Sequence, residues 1–175
     1  STKHGSAGVL GDTGVHIIDF ATYPVGTIKK TNTLLKTFKD KGEKIGEYVL
    51  DANDTFVSMV EFNNGAVGTI TSTRFGTGYK NRLGLKIFCD KGAVRISFDD
   101  PVSEGNHYEI TKEIDSKNMY WEKIPTSPTP SNFERFIKSI KTGQNDQPDF
   151  KRGAEIQKIL DSCFESAKIN TWVNV

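Results

Sequence analysis

From Asp54 onward the sequence alternates with a period of two, and this feature restricts the fold more than any other. Successive side chains of a strand point to opposite faces, so Phe56, Ser58, Val60 and Phe62 fall on one side and Val57, Met59 and Glu61 on the other. Asn63-Asn64-Gly65 then supplies a turn, and Ala66 to Thr73 returns as a second strand, the clearest hairpin in the chain. Leu83, Leu85, Ile87 and Cys89 alternate with Arg82, Gly84, Lys86 and Phe88, and Asp90-Lys91-Gly92 turns the chain into Val94, Ile96 and Phe98 as a second hairpin. His107 to Ile114 and Tyr120 to Ile124 are read as further strands, and Thr27 to Lys39 as one that precedes the hairpins.

Helices flank this run. The stretch from about Gly11 to Tyr23 is expected to be helical and to be stopped by Pro24 and Gly26. Ser1 to Ser6 and Asp40 to Glu47 are expected to be loops, and Pro125 to Pro130 an extended linker. Ser131-x-x-Glu134 has capping-box spacing, Phe133, Phe136, Ile137 and Ile140 follow at helical intervals, and Gly143 lies beyond the end. A last helix starts near Phe150, buries Ile156, Ile159, Leu160, Cys163, Phe164 and Ala167, and stops before Asn170; Trp172, Val173 and Val175 close the chain as a short edge strand.

Strands made in sequence with helices set apart predict an α+β fold in two layers, a mostly antiparallel or mixed open sheet with helices over one face. The other face, with Thr69, Thr71 and Thr73 beside Val57, Met59, Val67 and Phe88, is half apolar and has no helix left to cover it. It is therefore expected to be a protein contact surface that makes a homo-oligomer.

A length of 175 residues suits a single domain over residues 1–175 with its own core. The net charge of +1, from 23 basic and 22 acidic residues, gives no reason to expect nucleic acid or an anionic membrane as partner. No run approaches the roughly 18 to 20 apolar residues that span a bilayer, so the expected state is soluble and cytoplasmic. Cys89 and Cys163 lack the spacing of zinc or redox motifs and are expected to be buried, reduced thiols, with a disulfide left open. The chain opens on Ser-Thr rather than Met, which points to upstream sequence that has been removed.

The chemistry concentrates in the first helix. At 100° per residue, Asp12, His16, Asp19 and Tyr23 share one polar strip opposite Leu10, Ile17, Ile18 and Ala21. An imidazole between two carboxylates suits proton transfer near neutral pH, since the free side chain titrates near 6.5. Plainer roles stand beside this one: Asp12 as a helix N-cap, His16 as a surface histidine, Asp19 as a solvated charge. His4 and His107 are given no chemical role, and no set of histidines has metal-ligand spacing.

Gly8, Leu10, Asp12, Gly14, His16, Ile18 and Asp19 together form a pattern that resembles the start of the C-terminal domain of the glucose-fructose oxidoreductase / inositol dehydrogenase / MocA-like dehydrogenases. Asn132 to Phe136, Gly143 to Asp149 and Gly153 to Ala167 resemble that family's last two helices, and Phe62 to Gly68 its central hairpin. The resemblance implies a glyceraldehyde-3-phosphate dehydrogenase-like C-terminal fold that closes over a sugar or polyol beside an N-terminal Rossmann domain, here missing, that holds NAD or NADP. It implies His16 as the catalytic proton-transfer residue, Asp12 as its carboxylate partner, and Asp19, Arg74 and Tyr79 as substrate contacts.

This stretch of sequence has no Gly-x-Gly-x-x-Gly after an early strand and no Glu-Lys-Pro run. Gly76-x-Gly78 is not half a fingerprint, because Asn81 holds the third position and a strand follows. The fragment alone is thus expected to bind no cofactor tightly, to need no metal and to be inactive. The rival expectation is a non-catalytic dimerisation or carbohydrate-binding module of the same fold.

Overall fold

The computed structural model describes residues 1–3, 5, 7–38, 43–79, 81–98, 107–112, 120–125, 127 and 129–175. His4, part of the expected Asp40 to Glu47 loop, Pro128 of the linker and the last residues of the expected His107 to Ile114 strand lie outside them. In chain order the elements are a π-helical turn at Leu10–Gly14, α1 at Val15–Val25, β1 at Ile28–Lys36, β2 at Lys44–Ile45, β3 at Tyr48–Val49, β4 at Thr55–Phe62 and β5 at Val67–Thr73. Then come β6 at Leu83–Cys89, β7 at Gly92–Phe98, β8 at His107–Lys112, β9 at Glu122–Pro125, α2 at Asn132–Thr142, α3 at Phe150–Ile169 and β10 at Val173–Asn174. The chain forms two compact units, Ser1–Gly76 with Phe150–Val175, and Thr77–Asp149.

The first unit is built on a four-stranded sheet in the order β10-β1-β4-β5. Every pairing in it is antiparallel, so the open sheet has the expected direction with no parallel strand. Register follows the period-two pattern: Phe56, Ser58, Val60 and Phe62 are buried, as is Ile70 of β5. That face receives α3, whose Ile156, Ile159, Leu160 and Cys163 are buried. Phe164 and Ala167, expected in the core, are only half-buried, and Ser162 and Ser166 are buried instead.

Those serines belong to a hydroxyl network that satisfies the buried polar groups of this layer. Thr31 and Thr33 of β1 share hydrogen bonds with each other and with Ser58 of β4, and Cys163 Sγ lies 3.6 Å from Thr31 Oγ1. Ser166 Oγ accepts the Thr33 amide at 2.9 Å and donates to the carbonyl of Thr171 at 2.6 Å.

The opposite face of this sheet carries Leu34, Val57, Met59 and Val67, all exposed, with exposed Thr69, Thr71 and Thr73 between them. Register places Leu34 beside Val57, Met59 between Asn32 and Thr69, and Val67 beside Glu61.

The second unit holds the antiparallel sheet β6-β7-β8-β9 and α2. Its helix has the expected capping box, with the Glu134 amide donating to Ser131 Oγ and the Glu134 carboxylate accepting the Ser131 amide, and Gly143 ends it at φ +67. The apolar positions of that helix are not core: Phe133, Phe136, Ile137 and Ile140 are all exposed.

Four expectations need correction. Residues 10–14 form a π turn rather than the first turn of an α-helix, and α1 runs through Pro24 to Val25. A proline loses its own amide and crowds the carbonyl one turn back, but it does not stop the residue that follows it, so the helix ends instead at Gly26, φ +115, whose amide closes on the carbonyl of Thr22. Lys44–Ile45, inside the expected Asp40 to Glu47 loop, is the strand β2 and pairs with β3 just beyond that loop. Both cysteines are free, but Cys89 is exposed rather than buried.

Candidate functional site

The turn that leads into the first helix is fixed by contacts distant in sequence. Gly8 takes φ +94, and a Cβ there would lie 2.5 Å from Asn53. Asn53 uses the room: its carbonyl accepts the Val9 amide at 2.8 Å, its Oδ1 accepts the Leu10 amide at 3.0 Å, and its Nδ2 donates to the carbonyl of Ala7 at 2.7 Å. One turn later Gly14 lies on the ring of Phe56, with 3.0 Å between that ring and the place of an added Cβ. Thr13 Oγ1 meets Ser72 Oγ of β5 at 2.9 Å. The π turn is thereby laid on β4 and β5.

The turn presents Asp12 outward. Arg74, just beyond β5, donates through Nη2 to Asp12 Oδ2 at 2.6 Å, and both side chains are about half exposed, 55% and 49%. The Arg74 amide bonds the carbonyl of Asp54 at 2.9 Å, which fixes where the side chain starts. His16 follows on α1 and is exposed, and no described residue hydrogen-bonds its ring.

Asp19 lies one turn further and is held by Arg152 of α3, Nε to Oδ1 at 2.7 Å. Tyr23, last on the expected strip, is exposed; on the expected apolar side Leu10, Ile18 and Ala21 are buried and Ile17 is half-buried.

Two of the expected substrate contacts thus have partners of their own. Asp12 and Arg74, 62 residues apart, are brought together, whereas Asp19 is engaged by a residue that sequence reasoning did not single out. The sequence signal for Arg152 was slight, the second of two adjacent cations, Lys151 and Arg152, ahead of Gly153 at the start of a helix. Tyr79 belongs to the second unit, where it is exposed and the Arg82 guanidinium lies 4.8 Å from its ring centroid.

Among the described residues no group of three or more His, Cys, Asp or Glu is placed to hold a metal ion, and no helix is long and apolar enough to cross a membrane. The first helix is also a poor cradle for phosphate. A phosphate-binding helix start offers free amides, but those of Val9 and Leu10 are already bonded to Asn53. The glycine pair at 76 and 78 is followed by β6, not by a helix.

A family profile described as the oxidoreductase family's C-terminal alpha/beta domain matches residues 2–175. Levoglucosan dehydrogenase of Pseudarthrobacter phenanthrenivorans is 25% identical over 203 residues, which cover 97% of this chain and 52% of that protein. A solved levoglucosan dehydrogenase in complex with NADH and L-sorbose superposes with a TM-score of 0.86 at 25% identity over 100% of this chain and 52% of that one. The complex with NADH and levoglucosan gives 0.82 at 26% identity, over 97% and 50%. The WlbA dehydrogenase from Bordetella pertussis, solved with NADH and UDP-GlcNAcA, shares the fold at a TM-score of 0.70 and 19% identity, over 97% and 46%. The chain thus spans about half the length of the relatives it matches.

Proposed function

Because this chain belongs to the Gfo/Idh/MocA oxidoreductases as their C-terminal alpha/beta domain, we propose that it is the substrate-binding and oligomerisation half of an NAD(P)-dependent dehydrogenase acting on a sugar, polyol or derivative. The observation that carries this reading is an exposed imidazole at His16, unclaimed by any described neighbour, one helical turn beyond the Asp12–Arg74 ion pair. The relatives solved with NADH and a sugar support the substrate class.

In this reading the neutral imidazole of His16 accepts the proton of the substrate hydroxyl, and a nicotinamide held by the N-terminal domain would supply the acceptor for the hydride that leaves the carbon. The Asp12 carboxylate accepts, and the Arg74 guanidinium donates, hydrogen bonds to neighbouring hydroxyls of the same sugar. Asp12 contributes by binding and by its charge near the imidazole. The residues that open the first helix do not fit the phosphates of a dinucleotide, since the amides of Val9 and Leu10 are taken by Asn53. What they supply is therefore the hydroxyl end of the reaction. The isolated chain neither binds NADH tightly nor turns over, and a micromolar Kd for NADH by calorimetry would contradict this.

The decisive experiment is His16→Ala in the full-length protein that carries this domain, assayed with NAD or NADP against levoglucosan, L-sorbose and other polyols. Loss of the base lowers kcat by about 10²- to 10⁴-fold; full turnover with an unchanged pH profile would end the proposal. The exposed face of β1, β4 and β5 makes the second half of the reading, a homo-oligomer. A monomer in light scattering at micromolar concentration would remove it.

A further inference from the structure

Arg152, in the first turn of α3, reaches three acceptors on the helix that carries His16. Its Nε donates to Asp19 Oδ1 at 2.7 Å, and its Nη2 donates to Thr22 Oγ1 at 2.5 Å and to the Asp19 carbonyl at 3.3 Å. Nη1 lies 3.6 Å from Glu155 Oε2 on its own helix. The Arg152 side chain is only 19% exposed, whereas that of Asp19 is 40% exposed. Contacts to a side chain and to main chain on one turn, made by a rigid planar fork, fix that turn in orientation as well as in distance.

We propose that Arg152 is a positioning residue of this site. It holds the turn of α1 that follows His16 and cancels the charge of Asp19 beside the imidazole, so Asp19 serves the helix rather than the substrate. The importance of this for turnover rests on the role given above to His16; the arrangement of charges does not.

The argument is one of placement. His16 and Asp19 are three residues apart in α1, so their side chains are neighbours on one face. On the strip of the first helix that carries His16, the charged and titratable groups are Asp12, paired with Arg74, Asp19, paired with Arg152, which also lies near Glu155, and Tyr23. Both aspartates on the histidine's own strip are thus matched by a guanidinium. A cation over the last turns of α1 also complements the negative end of the helix dipole. Without Arg152, Asp19 and Glu155 would stand uncompensated and would favour the imidazolium, the form that cannot accept a proton. The expected use of Asp19 as a substrate contact is replaced by this one.

The test is an NMR titration of the His16 ring proton in this chain, assigned by comparison with His16→Gln, with the amide spectrum as the check on folding. Arg152→Gln raises the titration midpoint by about 0.2 to 0.5 on the pH scale, the size expected for one partly screened charge at this range. Asp19→Asn lowers it by a similar amount, the double variant returns it toward the starting value, and Arg152→Lys leaves it near that value. Midpoints unmoved in folded Arg152→Gln and Asp19→Asn would overturn the proposal. Where Arg152→Gln does not fold, Asp19→Asn decides alone. The titration reads no turnover, so its failure and a failure of the His16→Ala kinetics are distinguishable.

Discussion

The helix that carries His16 begins where Asn53, from another part of the sequence, fills the space over Gly8, whereas α2 begins on its own neighbours, Ser131 and Glu134. Both starts satisfy amides that a helix leaves unpaired. The first does so with a residue 43 positions away and in a buried setting; the second does so within three positions and in the open. The bonds that hold the Val9 and Leu10 amides come from the carbonyl and side-chain amide of Asn53, which do not titrate, so acid leaves them intact. The second uses the Glu134 carboxylate and is supported further on by the Arg135–Asp146 pair, at 2.7 and 2.9 Å. A start fixed from elsewhere in the fold suits a helix that, in the function proposed, holds the proton acceptor still, and a local start suits one that only has to form.

The contrast can be broken most forcefully at Gly8. Gly8→Ala forces a Cβ against Asn53 at a left-handed φ, and we expect a loss of about 2–4 kcal/mol in urea unfolding. Asn53→Ala keeps the backbone but leaves the Leu10 amide without its acceptor, with an expected cost of about 1–3 kcal/mol in the same measurement.

The smallest effect is a matter of pH. The Ser131 amide and then its hydroxyl hold the Glu134 carboxyl below the usual glutamate value, and Arg135, with the Gln147 amide, holds Asp146 at about 2. Each pair therefore supports α2 in full above the ordinary carboxyl range, and that support is lost as the pH falls through the lowered folded values. The protection factors of the α2 amides, exchange being corrected for its intrinsic pH dependence, should fall on acidification from pH 5 toward 2 while those of Val9 and Leu10 hold. Equal loss in both places would erase the distinction.

The same contrast explains what could be read from the sequence. The β4–β5 hairpin and α2 were legible because their causes are local: alternation about Asn63-Asn64-Gly65 in one, the Ser131 box and Gly143 in the other. The π turn was not, because it follows from Gly14 lying on Phe56, a contact no period reveals. The spacing of Asp12, His16 and Asp19 placed all three away from the core, with Asp12 and His16 exposed and Asp19 half-buried. The partners of the two aspartates could not be paired from sequence, since 62 residues separate Asp12 from Arg74 and 133 separate Asp19 from Arg152. The buried serines of α3 were missed for a related reason. A hydroxyl is read as surface unless its acceptors, here on β1 and after the helix, are known.

Those serines decide how firmly α3 is seated. A purely greasy contact would let a helix glide along a sheet by a turn at modest cost, since one aliphatic group replaces another. The rungs formed by Ser166 with Thr33, and by Cys163 with Thr31, act as a ratchet tooth, because any shift strands polar atoms in the dry layer. The far end of the same rod, where Arg152 projects, then has one permitted address, and the grip on Asp19 inherits its accuracy from hydroxyls sealed beneath the sheet.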